Sequence, residues 1–144
     1  MDHLAILDKK RQLLPKIISG EKTIESRWYT QKRAPWNSIE AGDTIYFKNS
    51  GEAVTVKAQV SKVEQFYLPQ VNVSSLITKH GTQIGFEEKN FPSVISWCEK
   101  RKYCILIHLQ NVQKIKPFQI NKQGYGMMAA WISVSYIRQL QTGA

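Results

Sequence analysis

The sequence predicts an α+β fold, a small and mostly antiparallel β-barrel of five or six strands flanked by helices. Three observations lead there. Apolar residues alternate along several runs, most clearly Val54, Val56, Ala58 and Val60, and this period of two is the mark of a half-buried strand. Turn chemistry at Ala41-Gly42-Asp43 and at Asn49-Ser50-Gly51-Glu52 joins consecutive strands by short antiparallel connections. Helical patterns fall at the ends of that antiparallel run, which favours α+β, and strands of this number and length suit a closed or partly closed small barrel.

The elements follow in order. His3 to Leu7 is a short apolar strand, and a helical segment runs from Asp8, a suitable N-cap, to Ile18, with Leu13, Leu14, Ile17 and Ile18 as its apolar stripe. Pro15 inside it implies a kink or the start of a second short helix, and Gly20 ends it. Thr23 to Tyr29 reads as a strand with Thr23, Glu25, Arg27 and Tyr29 on one face and Ile24, Ser26 and Trp28 on the other. Thr30 to Asn37 is a basic, aromatic loop. Thr44 to Lys48 and Ala53 to Phe66 are strands, the second the longest in the chain. Ser74 to Ile77 can open a helix that Gly81 or Gly85 closes. Phe91 to Lys102 reads as a helix with Pro92 at its start, Val94, Ile95 and Trp97 inward, and Lys100-Arg101-Lys102 at its C-terminus, where the helix dipole favours cations. Tyr103 to Ile115 is apolar on both faces and therefore central. Pro117 to Trp131 is irregular, and Ser133 or Ser135 caps a last short helix.

At 144 residues the chain is sized for one domain, residues 1–144, and with 42% hydrophobic and 22% charged residues it has an ordinary globular composition. Its longest apolar runs are too short for a bilayer, and the N-terminus lacks the charge order of a secretory signal, so the expected compartment is the cytosol. Cys98 and Cys104 form no C-x-x-C pair, and His3, His80 and His108 lie far apart, so buried inert thiols are expected and no metal or organic cofactor. The net charge of +9 is unevenly spread. Basic and acidic residues nearly balance over residues 1–99, whereas residues 100–144 hold Lys100, Arg101, Lys102, Lys114, Lys116, Lys122 and Arg138 with no acid. Such one-sidedness favours a polyanionic partner, with a merely solubilising surface as the bland alternative.

The densest chemistry lies in Gly20-Glu21-Lys22-Thr23-Ile24-Glu25-Ser26-Arg27. Lys22 sits at the turn into the strand, where its stem can swing towards Glu25, so one pocket can gather all three ionisable groups. A carboxylate between two cations suits a guest that carries an amine beside carbonyl or phosphate groups, such as a nucleoside: Glu25 accepts from the amine, Arg27 forks onto a phosphate or base edge, and Lys22 neutralises charge. A plain salt-bridge network that pins the turn is the competing explanation.

This stretch resembles the G-x-K-x-x-E-x-R signature of ASCH domains, relatives of the PUA superfamily. The likeness continues through Trp28-Tyr29, Ala34-Pro35-Trp36, Gly42 to Phe47 and Val54 to Val63, and so covers roughly residues 3 to 115. It implies a PUA-like barrel with a cleft lined by the signature residues, and binding of RNA or a modified nucleoside. Some members of that family are amidohydrolases of N4-acetylcytidine, using a lysine at the position of Lys22, a threonine hydroxyl at the position of Glu25 and an acid further along. Here Glu25 replaces the hydroxyl, and alignment on Lys79-His80 puts Ile84 in the place of the acid.

The candidate ligand or nucleic-acid contacts are therefore Lys22, Glu25, Arg27, Trp36 and Tyr125, with RNA or a modified nucleoside as guest and single-stranded or duplex nucleic acid as the wider class. Trp36 in its basic loop is the leading stacking residue, and Tyr125 between Gly124 and Gly126 is a second, although a simple turn also explains that pair. Trp97 and Trp131 read as core. If the protein is instead an amidohydrolase or a nuclease, Lys22 and Glu25 are the catalytic candidates, with Glu25 acting as a base on water.

Overall fold

The long strand near the C-terminus organises the molecule because both of its faces are apolar. In the computed structural model, which describes residues 1–142, it runs from Tyr103 to Ile120. Gly143 and Ala144, the last two positions of the expected 1–144 domain, lie outside the described residues. The strands are β1 (Asp2–Leu7), β2 (Ile24–Tyr29), β3 (Thr44–Asn49), β4 (Val54–Tyr67), β5 (Tyr103–Ile120), β6 (Trp131–Val134) and β7 (Gln141–Thr142). The helices are α1 (Leu13–Ser19), α2 (Val73–Ile84) and α3 (Phe91–Glu99), with short 3-10 turns between.

Six strands form a curled, half-barrel sheet in the order β2-β5-β4-β3-β1-β6, and β7 pairs with the far end of β5. All pairings are antiparallel except β1 with β3, which run parallel with Ala5 opposite Phe47. The α+β barrel expected from the sequence is thus present.

Alternation on β5 divides the core in two. Ile105 and Ile107 point into the concave side, where Ala5, Phe47, Val56 and Val60 meet Leu14 and Ile17 of α1. Cys104 and Leu106 point the other way, onto Ile24 and Trp28 of β2 and Ile77 and Ile84 of α2. Both thiols are free and buried, and burial pushes that of Cys98 up to about 12 and also raises that of Cys104.

Several local expectations are resolved or corrected. At Pro15 the second of the two alternatives holds: Gln12, at φ 55°, separates the Lys9–Arg11 turn from α1, leaving Pro15 in the first turn of a second short helix, where its missing N–H is not needed. Gly81 lies inside α2, and the helix ends at Gly85, at φ 110°. Trp131 to Val134 is a strand and not a helix cap, paired with β1. Trp97 is not core. It is 45% exposed, because Cys98 takes the buried position on α3.

Candidate functional site

Lys22, Glu25 and Arg27 do converge. They line one cleft of about 630 Å³ that runs along β2, together with Arg11, Trp28, Phe86 and Trp97.

The position of Lys22 follows from two glycine-capped helix ends. Gly20 closes α1 with a left-handed turn, and the Lys22 N–H bonds back to the Lys16 carbonyl. Gly85 closes α2, and the Lys22 stem lies against it, so that a Cβ built at Gly85 would stand 3.5 Å from Lys22 Cδ. The ammonium then reaches the carbonyls of Ile84 at 2.5 Å and Ile24 at 2.7 Å and Glu25 Oε1 at 3.5 Å. Burial lowers the pKa of Lys22 and Glu25 opposes the shift. Two carbonyls accept hydrogen bonds from Lys22 Nζ, and the Glu25 carboxylate adds an ion pair.

Glu25 is 3% exposed, and its two oxygens differ. Oε1 accepts the Ser26 N–H at 3.0 Å and faces Lys22. Oε2 lies 3.6 Å from Arg27 Nη2 and accepts no hydrogen bond among the described residues. Burial by itself would raise the carboxyl pKa, but Lys22 and Arg27, with the Ser26 N–H, hold it below the usual carboxylate range. Glu25 is therefore an anion with one oxygen left for a donor.

Arg27 also belongs to the scaffold. From β2, at one end of the curled sheet, its guanidinium donates to the Ile6 carbonyl at 3.4 Å and the Ala130 carbonyl at 3.3 Å, and it lies 5.1 Å over the Trp131 ring. It spans the gap that the half-barrel leaves between β2 and the β1–β6 end.

The floor of the cleft is the free edge of β2. Glu25, Arg27 and Tyr29 turn their main-chain groups to β5, and Ile24, Ser26 and Trp28 turn theirs outward. Lys22 takes the Ile24 carbonyl and Glu25 the Ser26 N–H. The Ser26 carbonyl and Trp28 N–H form no hydrogen bond among the described residues.

The two aromatic candidates lie elsewhere. Trp36 is half-buried, packed edge-on against Tyr103 at 5.0 Å, and is not among the cleft residues; its loop braces the barrel, with Arg33 over the Tyr29 ring and Lys32 over Tyr103. Tyr125 is 41% exposed in the loop before β6, also outside the cleft. Trp28, Phe86 and Trp97 supply the aromatic walls instead. In the sequence, the one hint for Trp97 was its place just before the Lys100-Arg101-Lys102 trio. Ile84, expected where the amidohydrolases carry an acid, does line the cleft, but Lys22 uses its carbonyl.

The fold is an α+β half-barrel like that of ASCH structures. The structure is similar to that of ASCH from Zymomonas mobilis, with a TM-score of 0.63 and 17% identity over 98% of this chain and 96% of that one. A serine-to-alanine variant of the same Zymomonas mobilis protein aligns with a TM-score of 0.57 and 19% identity, covering 81% of this chain and 72% of that one. The N-terminal domain of Staphylothermus marinus McrB gives 0.50 at 10% identity, over 81% of this chain and 75% of that domain. At such identities the likeness is one of fold. No protein-family model matches the sequence, and no curated protein does. No helix among the described residues is long and apolar enough to cross a membrane.

Proposed function

We propose that the cleft binds RNA or a modified nucleoside through the edge of its base. The observation that carries this reading is Glu25 Oε2, a buried carboxylate oxygen in a residue that lines the cleft, paired with Arg27 at 3.6 Å but without a hydrogen bond among the described residues. A buried acceptor left unpaired costs free energy, about 1–3 kcal/mol for a neutral group and more for a charged one, so a guest that donates an N–H there recovers it. Beside it the Ser26 carbonyl and Trp28 N–H offer one acceptor and one donor, the pattern that an amino group next to a ring nitrogen complements. Trp28 and Phe86 supply apolar wall for a flat ring. The C-terminal third, basic and without acids, supports a polyanionic chain as the larger partner.

Isothermal titration of cytidine, adenosine, guanosine, uridine and N4-acetylcytidine tests the reading. Bases with an exocyclic amine should bind tighter than uridine, and Glu25→Gln, which turns one acceptor oxygen into a donor, should weaken them at least tenfold. Equal affinities for all bases, or none measurable, overturn the proposal.

A hydrolytic role for the same cleft would rest on Glu25 alone. Lys22 is bonded to two carbonyls and paired with Glu25, which leaves Glu25 Oε2 as the group placed to activate water on an acyl-cytidine. Incubation with N4-acetylcytidine, read by release of acetate, separates turnover from binding.

A further inference from the structure

The end of α3 is unlike the rest of the cleft rim. Trp97 lines the cleft and is 45% exposed. The Arg101 guanidinium lies 4.1 Å from its ring centroid, so one part of the indole is braced by a cation while the ring remains open to solvent and cleft. Lys100 and Lys102 flank Arg101, both exposed, and none of the three makes a salt bridge among the described residues. Lys102 is also anchored by its main chain. Its N–H bonds the Tyr29 carbonyl and its carbonyl accepts from Leu68, so the cationic turn is fixed beside the end of β2.

We infer that Trp97 with Lys100, Arg101 and Lys102 is a strand-holding rim: the indole stacks one base of a single-stranded polynucleotide, and the three cations hold the phosphates on either side. This rests on the reading of the cleft as a base-binding site, and it extends that site from one nucleoside to a strand. The chemistry fits the occupant. Stacking on an aromatic ring needs an unpaired base, since a duplex buries both faces of each base in its own stack. Three cations without a salt bridge beside an exposed ring suit a polyanionic strand, whereas an apolar peptide segment would leave all three charges unanswered. Glu99 is the acid in this segment, at the last helical position, and it forms no salt bridge among the described residues.

Fluorescence anisotropy with labelled twelve-nucleotide single strands, RNA and DNA, and with the matching duplex tests the inference at 50 and 200 mM KCl. The single strand should bind more tightly than the duplex. Trp97→Leu should weaken single-strand binding about tenfold without lowering the melting temperature, Trp97→Phe should restore most of it, and Lys100→Ala with Lys102→Ala should reduce the salt dependence by about one to two charges. The RNA and DNA arms identify the preferred sugar, and a preference for either supports the rim. Unchanged single-strand affinity in Trp97→Leu, or a duplex bound as well as the single strand, overturns it. Nucleoside titration of Glu25→Gln separates the two readings: loss there with an indifferent Trp97 sinks the rim alone, whereas a wild type that binds neither nucleosides nor strands sinks both.

Discussion

The ammonium of Lys22 meets the last carbonyl of α2, that of Ile84, at 2.5 Å, and so ties the start of β2 to the end of a helix some sixty residues later in the chain. A cation at a helix C-terminus also answers the negative end of the dipole. Removing it leaves two buried carbonyls short of a donor and Glu25 without its nearest counter-charge. Lys22→Met should therefore cost about 3 kcal/mol or more, the range found when one member of a buried pair is removed. Urea unfolding measures it, and a change below about 1 kcal/mol would show that the clamp is not structural.

Arg27 carries a different mixture. Its guanidinium reaches the Ile6 and Ala130 carbonyls across the gap in the half-barrel. Both contacts are long, so the expected loss is about 1–2 kcal/mol, from two weak hydrogen bonds and the contact with Trp131. The melting temperature should drop together with affinity. Unaltered stability would mean that the bridge across the gap is not maintained in solution.

Period-two alternation made β4 and β5 legible, and the division of β5 between two cores follows from its apolar residues on both faces. The convergence of Lys22, Glu25 and Arg27 was readable from spacing on a strand beside a turn. Other features depend on partners far away in sequence. β6 has four residues, too few for a periodic signal, and is a strand because β1 lies beside it; the parallel pairing of β1 with β3 likewise leaves no local mark. The places of Trp36 and Trp97 relative to the cleft likewise depend on partners that leave no local mark. Tyr103 happens to cover Trp36, and Cys98 occupies the inward position that would have buried Trp97.

Gly81 shows a close approach that only the tertiary structure reveals. It lies inside α2, where glycine is unfavourable by about 1 kcal/mol relative to alanine. A Cβ there would stand 2.5 Å from Phe91 Cζ and 2.8 Å from Phe91 Cε1, so α2 and the start of α3 touch through the missing side chain. Gly81→Ala should thus destabilise the fold by about 1–3 kcal/mol despite the gain in helix propensity. Gly81→Ala combined with Phe91→Leu should recover part of the loss. A single Gly81→Ala variant as stable as the parent would mean that Phe91 moves aside freely.

Stability should fall on the acid side in two stages. His3 is fully buried, with Nε2 2.8 Å from Asp43 Oδ2 and Nδ1 2.8 Å from Ser133 Oγ. Facing a carboxylate, Nε2 carries the proton and Nδ1 accepts from the serine hydroxyl, which satisfies the neutral ring. Burial lowers the His3 pKa below its ordinary 6.5 in spite of Asp43, and burial likewise lowers that of His80. Below about pH 6.5 the unfolded chain therefore binds more protons at these rings than the folded one, and stability declines as pH falls towards their folded values. The second stage belongs to Glu25 and Asp43, whose carboxyls are held below their ordinary 4.5 and 3.8, against the opposing effect of burial, by Lys22 and Arg27 in the first case and by His3 and the Glu40 N–H in the second. Their contribution is complete above the unfolded values and is lost as pH drops through the folded ones. Urea midpoints should be flat between pH 7 and 8, decline from about 6.5, and fall again below about 4.5. His3→Gln should shrink the upper stage to the part due to His80 and also shift the Asp43 part of the lower one, while the Glu25 part stays, and a midpoint that rises between pH 7 and 5.5 would contradict a buried neutral His3.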